Sequence, residues 1–228
     1  MSLREYDMNI EQIIGSFLDE NFYPKLKELY SIDFQRVRDK ATQLLGVDVY
    51  MKTNNGQIAI DEKSAAHYIN SPLRTFAFEL CFLRSNGELT KGWFLNQKLK
   101  TDIYSLMWIH AHEQKYPAVK RGPTEYYKKM DEEDIDYIEV YMLLKQDVLD
   151  YLSDCGYTTA VLLSRADDMI NEKTEKYNGE NDITFRYSTN YTECPVNVLI
   201  KKTELNKLAF CIFKVSQKKI EIKKHDRR

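Results

Sequence analysis

The chain has 228 residues, 43% hydrophobic and 30% charged, enough apolar material for one domain with a substantial core; eight Gly and five Pro exclude collagen-like and low-complexity classes. The net charge of −2 excludes a surface that is basic all round, but the charge is uneven. Residues 201 to 228 hold ten bases against three acids, and residues 125 to 182 hold six bases against sixteen acids. No apolar run approaches the roughly 18 to 20 residues of a bilayer crossing, and the opening MSLREYDMNIEQ lacks the apolar stretch of a secretion signal. The expectation is a cytoplasmic protein with no membrane partner. Cys81, Cys155, Cys194 and Cys211 are scattered with no C-x-x-C pair, which fits reduced thiols.

From Ile10 to Tyr30 the apolar residues Ile10, Ile13, Ile14, Phe17 and Leu18 recur at helical spacing, which predicts a helix. Phe34, Val37, Ala41, Leu44 and Leu45 repeat the pattern and predict a second helix, capped by Asp33 and ended by Gly46. VDVYM (Val47 to Met51) and QIAIDEK (Gln57 to Lys63) flank Asn54-Asn55-Gly56 and predict a hairpin. Strands follow at Thr75 to Leu83 and Ile103 to Ala111, and one mixed sheet is expected to hold all four. Ile135, Ile138, Tyr141, Met142, Val148 and Tyr151 predict a long amphipathic helix over Asp131 to Asp154. The strands DITFRYS and VNVLIKK and a basic C-terminal tail complete the reading. The class is α/β (α+β), a central mixed sheet cased by helices, in a single domain over residues 1–228.

One constellation carries chemistry. Asp48 stands on the first strand of the hairpin and Asp61-Glu62-Lys63 at the end of the second. The tripeptide alone is common, since Glu113-Gln114-Lys115 and Glu221-Ile222-Lys223 share its form. Alternation along the strand puts Gln57, Ala59, Asp61 and Lys63 on one face and Ile58, Ile60 and Glu62 on the other. The hairpin lets the carboxylates of Asp48 and Asp61 converge, and two crowded carboxylates are commonly tolerated because a hard divalent cation accepts oxygens from both. Magnesium is the natural cation, with manganese as a substitute. Lys63 would hold a water or neutralise charge on a phosphoryl group. The plain alternative is a cross-strand salt bridge.

Over about Phe34 to His112 the chain resembles the PD-(D/E)XK nuclease superfamily, with its restriction-endonuclease-like fold and its phage- and mobile-element-type members. The resemblance is carried by RVRDKATQLLG running into GVDVYM, the hairpin leading to AIDEKSA, and TFAFEL followed by NGELTKGWF. It implies a catalytic core at about 34–112, with Asp48, Asp61 and Lys63 catalytic and Asp48, Asp61 and the main-chain carbonyl of Glu62 binding Mg2+. The proline that often precedes the first acid is replaced by Val47. Asp39 and Gln43, at i and i+4, are candidates to reach the metal from the preceding helix, and Glu79 is a further supporting candidate. The implied activity is metal-dependent hydrolysis of DNA leaving 5′-phosphate ends, in a protein whose partner is nucleic acid and for which a homodimer is admitted. The alternative is a catalytically inactive nucleic-acid-binding or assembly module on the same fold. If nucleic acid binds, the basic tail and Lys91, Lys98 and Lys100 are expected to rim the site.

Other features imply less. His110 and His112 lack a third ligand at suggestive spacing, His67 reads as a surface histidine, and Trp93 reads as core rather than a stacking platform.

Overall fold

In the computed structural model, which describes residues 3–54, 56–84, 86–118, 130–190 and 193–225, the chain opens with helix α1 (Leu3–Asn21). The predicted apolar stripe is what it buries: Ile10, Ile14, Phe17 and Leu18 are at most 2% exposed. Each such side chain contributes about 1.5–3 kcal/mol. The predicted run to Tyr30 breaks after Asn21, and α2 (Tyr23–Tyr30) starts afresh with Pro24, whose missing N–H suits a helix start.

The second predicted helix is overturned. Residues Asp33–Arg36 form strand β1, and only Lys40–Gln43 form a short helix, α3. Apolar residues at Phe34 and Val37 fit both periods, and pairing with β2 (Val49–Thr53) decides, with Phe34 opposite Met51 and Arg36 opposite Val49. Asp33 therefore caps no helix, while Gly46, at φ 71, does end the turn that follows α3. The hairpin is as expected: β2 pairs antiparallel with β3 (Gly56–Ser64), Val49 opposite Ile60 and Thr53 opposite Gly56.

The chain divides into two compact units, each made of separate segments: residues 1–73, 101–144 and 209–228, and residues 74–100 and 145–208. The first unit is built on a seven-stranded sheet that adds β6 (Ile103–Ala111), β7 (Ile135–Leu144), β11 (Cys211–Val215) and β12 (Ile220–His225). Its order is β1-β2-β3-β6-β7-β11-β12, and only the β3–β6 pairing is parallel. Helices α1 and α2 lay their apolar faces on it, in a core with Val49, Ile60, Ile103, Met107, Val140 and Phe213. A smaller cluster of Val37, Val47 and Ala59 forms on the opposite face of the β1–β3 edge.

The second unit has its own antiparallel sheet, ordered β5-β4-β10-β9-β8, from β4 (Thr75–Leu83), β5 (Leu89–Lys91), β8 (Lys176–Asn178), β9 (Thr184–Tyr187) and β10 (Val196–Lys201). With it go α4 (Lys145–Asp154), α5 (Thr159–Asn171) and α6 (Lys202–Leu208). The single mixed sheet expected for the first four strands is thus two sheets, because β4 pairs with β10 and not with the hairpin.

Two further expectations fail. The helix predicted over Asp131 to Asp154 is a 3-10 turn at Glu132–Asp134, then strand β7, then α4. A central strand buried on both faces has no clean alternation, so Ile138, Tyr141 and Met142 fell by chance on helical spacing. The basic tail is α6 followed by the β11–β12 hairpin, with Cys211, Ile212, Phe213 and Val215 buried between its lysines. The α/β class stands, as a large mixed sheet flanked by helices. No described helix is long and apolar enough to cross a membrane.

Candidate active site

The site forms where β3 outruns its partner. β2 begins at Val49, so the β3 residues beyond Ile60 have no strand on that side. Asp48 fills the gap: its backbone N–H donates to the Ile60 carbonyl at 2.9 Å, and its carboxylate Oδ2 accepts the Glu62 backbone N–H at 2.8 Å. The side chain does the work of the absent strand and is held beside Asp61 as a result.

Asp61 is 1% exposed, one of the few buried charged side chains among the described residues. Its Oδ1 accepts from the Lys63 ammonium, its Oδ2 lies 3.4 Å from the Thr101 hydroxyl, and its carboxyl is within hydrogen-bonding reach of that of Asp48. Burial pushes the Asp61 carboxyl up to about 6; Lys63 opposes the shift and the Asp48 charge adds to it. Lys63 is drawn down by burial, yet the charges of Asp61, Asp48 and Glu11 hold its ammonium above the ordinary lysine range. Burial, then Asp61, also pushes up the phenol of Tyr104, which is paired with Asp61 across the parallel β3–β6 ladder.

On the other face of β3, Glu62 enters a buried network. Its carboxylate accepts from the Tyr23 hydroxyl at 2.5 Å and from both terminal nitrogens of Arg36, with Nη2 at 3.2 Å. Arg36 also donates through Nε to Asp19, at 2.9 and 3.1 Å, and through Nη2 to the Gly15 carbonyl at 3.2 Å. Burial raises the Glu62 carboxyl, and Arg36 and Tyr23 pull it back down. This brace ties β1, β3, α1 and α2 beneath the site.

A cleft of about 780 Å³ opens above it. One wall is α1, including Met8, Glu11 and Gln12; the other is the stretch from Arg36 to Leu44; Asp48, Glu62 and Lys63 lie along its floor. The Lys63 side chain is 25% exposed and lines the cleft, whereas Asp61 behind it is sealed.

The expected trio of Asp48, Asp61 and Lys63 is therefore together on one side of one strand end. Gln43 lines the same cleft, with its amide donating to the Val37 carbonyl at 3.1 Å. Asp39 does not join them: it is the N-cap of α3, exposed, accepting the Thr42 N–H at 2.8 Å, which holds its carboxyl below the usual range. Because α3 is four residues long, the i, i+4 argument for Asp39 and Gln43 had no helix face to act on. Glu79 belongs to the second unit, where its carboxylate lies 3.4 Å from the Trp93 N–H. Glu11 and Arg36 went unnoticed in the sequence. Glu11 comes from α1, some fifty residues before Lys63 in the chain, and no spacing rule links them.

The basic C-terminal segment does not rim this site within the first unit. β11 and β12 close the opposite edge of the sheet, with β6 and β7 between them and β3. At about 4.8 Å per strand, four pairings separate β12 from β3, on the order of 19 Å measured along the sheet.

The donor chemistry fits a magnesium ion. Among the described residues no three His, Cys, Asp or Glu side chains are arranged as a metal cage. Magnesium does not need one, since it keeps several waters and binds through one or two carboxylates. Asp48 and Asp61 bring two carboxylates together beside Lys63, and a divalent cation would offset their mutual repulsion. No family model, no curated protein and no solved structure matches the chain.

Proposed function

We propose that the chain is a magnesium-dependent nuclease that hydrolyses phosphodiester bonds in DNA, on a restriction-endonuclease-like arrangement of the first unit. The observation that carries this reading is that Asp48 and Lys63 line the floor of an open cleft and meet Asp61 sealed just behind them, its carboxyl pushed up to about 6 by burial and by Asp48.

Asp48, Asp61 and the Glu62 carbonyl would hold the ion, with manganese as a substitute. When bound, it supplies a Lewis acid for the phosphate and a more acidic water. The remaining chemistry belongs to the chain. Lys63 places a positive charge at the cleft floor, where negative charge gathers on the attacked phosphate, and its ammonium orients the incoming water by donating to it. Asp48 fixes the β3 main chain at Glu62 and so the height of the Glu62 carbonyl. The Arg36–Glu62 brace anchors the same strand from behind. Hydrolysis runs by direct attack of water without a covalent intermediate, and the resemblance to the PD-(D/E)XK nucleases implies that the P–O3′ bond breaks, leaving 5′-phosphate and 3′-hydroxyl ends.

The absence of a third carboxylate ligand among the described residues favours a second reading, a catalytically inactive nucleic-acid-binding module on the same fold. One experiment separates the two. Supercoiled, linear and single-stranded DNA are incubated with the protein in magnesium, manganese or chelator, beside Asp61→Ala and Lys63→Ala. The nuclease cuts only with metal, and each variant is slower by about 10² or more. DNA bound but uncut under every metal supports the module, and neither binding nor cutting sinks both.

A further inference from the structure

The cleft floor and the cleft rim have different chemistry. At and beside the floor both cations are engaged, Lys63 with Asp61 and, from the base of the wall, Arg36 with Glu62 and Asp19. On the rim, Arg38 and Lys40 are exposed and neither side chain pairs with a described carboxylate. Asp39 between them is occupied as the cap of α3. Beside these cations stand Leu44 on the same wall and Met8 across the cleft, 69% and 58% exposed. They are the two most exposed large apolar side chains among the described residues, and both line this one cleft.

Exposed apolar groups at the mouth of a polar cleft point to a ligand that covers them, and unpaired cations beside them ask that it be anionic. A polynucleotide strand satisfies both demands when its bases are unstacked. In an intact duplex the base faces are buried in the stack and only phosphates and groove edges are offered. A single strand presents phosphates and base faces in alternation.

Resting on the nuclease reading, we propose that this rim binds single-stranded DNA, including the unpaired end of a duplex: Arg38 and Lys40 hold phosphates flanking the one to be cut, and Met8 and Leu44 pack on bases. The floor then receives a strand already separated from its complement.

The test is fluorescence anisotropy of the full chain with a labelled oligothymidine and with a blunt hairpin duplex, in chelator across a salt series. The oligothymidine should bind at least about tenfold more tightly than the duplex. Arg38→Gln with Lys40→Gln should weaken it about tenfold and flatten the slope of log affinity against log salt by about 1.4, since each phosphate contact on a single strand carries about 0.7. Met8→Ser with Leu44→Ser should weaken binding and leave that slope unchanged. All four side chains are exposed, so circular dichroism should show an intact fold. Equal affinity for the duplex, unchanged binding by both double variants, polyglutamate binding as tightly as the oligothymidine, or no binding of oligothymidine each overturns the proposal. Chelator removes cleavage from the readout, so the rim can succeed where the nuclease fails. Metal-dependent cutting of duplex by a protein whose rim variants bind normally would retain the nuclease and discard the rim.

Discussion

Two strands of one sheet carry the same three-residue pattern, an acid, a spacer and a lysine, and the pattern behaves oppositely in them. On β12, at the sheet edge, Glu221 is flanked by Lys219 and Lys223, whose ammoniums lie 2.5 and 2.6 Å from its oxygens and lower its carboxyl to about 2. On β3, Asp61 also pairs with the lysine two residues on, yet burial and Asp48 carry its carboxyl up to about 6. The same acid-x-Lys spacing yields a solvated ion pair in one place and a crowded carboxylate pair in the other. What differs is what surrounds the strand: solvent at β12, and Asp48, Thr101, Tyr104 and the α1 wall at β3. The lesson is that an acid-x-Lys tripeptide becomes a site only where burial prevents water from discharging it.

The largest effect should come from the brace behind β3. Arg36→Ala leaves the Glu62 carboxylate, 9% exposed, without its cation, and should cost about 3–5 kcal/mol in chemical denaturation. The loss should shrink as pH falls, because burial already raises the Glu62 carboxyl and protonation removes the stranded charge. A loss under about 1 kcal/mol, the scale of an exposed pair, would show the brace to be decoration.

Next is the contrast in cleavage. Lys63→Ala should slow DNA hydrolysis by about 10² or more, whereas Lys223→Ala, the same change at the same acid-x-Lys spacing on β12, should leave the rate unchanged. Equal effects in both, read from the same gel assay, would erase the distinction between the strands.

A smaller effect is a gain. The folded-state carboxyl of Asp61 lies above its ordinary value of 3.8, so the folded protein binds a proton that the unfolded chain releases. This group therefore favours folding at low pH and opposes it as pH rises from about 4 through about 6, its cost being fully present at pH 7. Asp61→Asn should raise stability at pH 7 by about 1–3 kcal/mol and flatten the dependence between pH 4 and 6, read from thermal melts. Glu221→Gln removes a carboxyl that is lowered and therefore favours folding at pH 7, but its pairs are solvated, so the melting temperature should fall only slightly. A wild-type protein whose stability rises from pH 4 to 6 by way of Asp61 would reverse the sign.

Much of this was legible in the sequence, and the failures share a cause. The strands at Thr75–Leu83 and Ile103–Ala111 have the limits that their apolar runs predict. Asn-Gly, Ile58 and Ile60 located the hairpin, and with it the three residues of the site, because strand alternation and hairpin register act locally. The fate of Phe34 to Leu45 and of Asp131 to Asp154 depended on which strand lay alongside, and pairing partners distant in the chain leave no periodic mark. The same holds for the site's support. Glu11, Tyr23 and Arg36 come to β3 only through packing, so the sequence shows the tripeptide and conceals the burial that sets it apart from its copy on β12.

The most direct test of that burial, and of the crowding of Asp61 by Asp48, is carbon-13 NMR of the Asp and Glu side-chain carboxyls, titrated with and without magnesium. Without the ion, Asp61 should titrate near 6 and Glu221 near 2. Millimolar magnesium should drive the Asp61 transition down by more than one pH unit, shift the Asp48 signal with it, and leave Glu221 where it was. An Asp61 carboxyl that titrates near 6 and ignores magnesium would contradict a metal site built from Asp48 and Asp61.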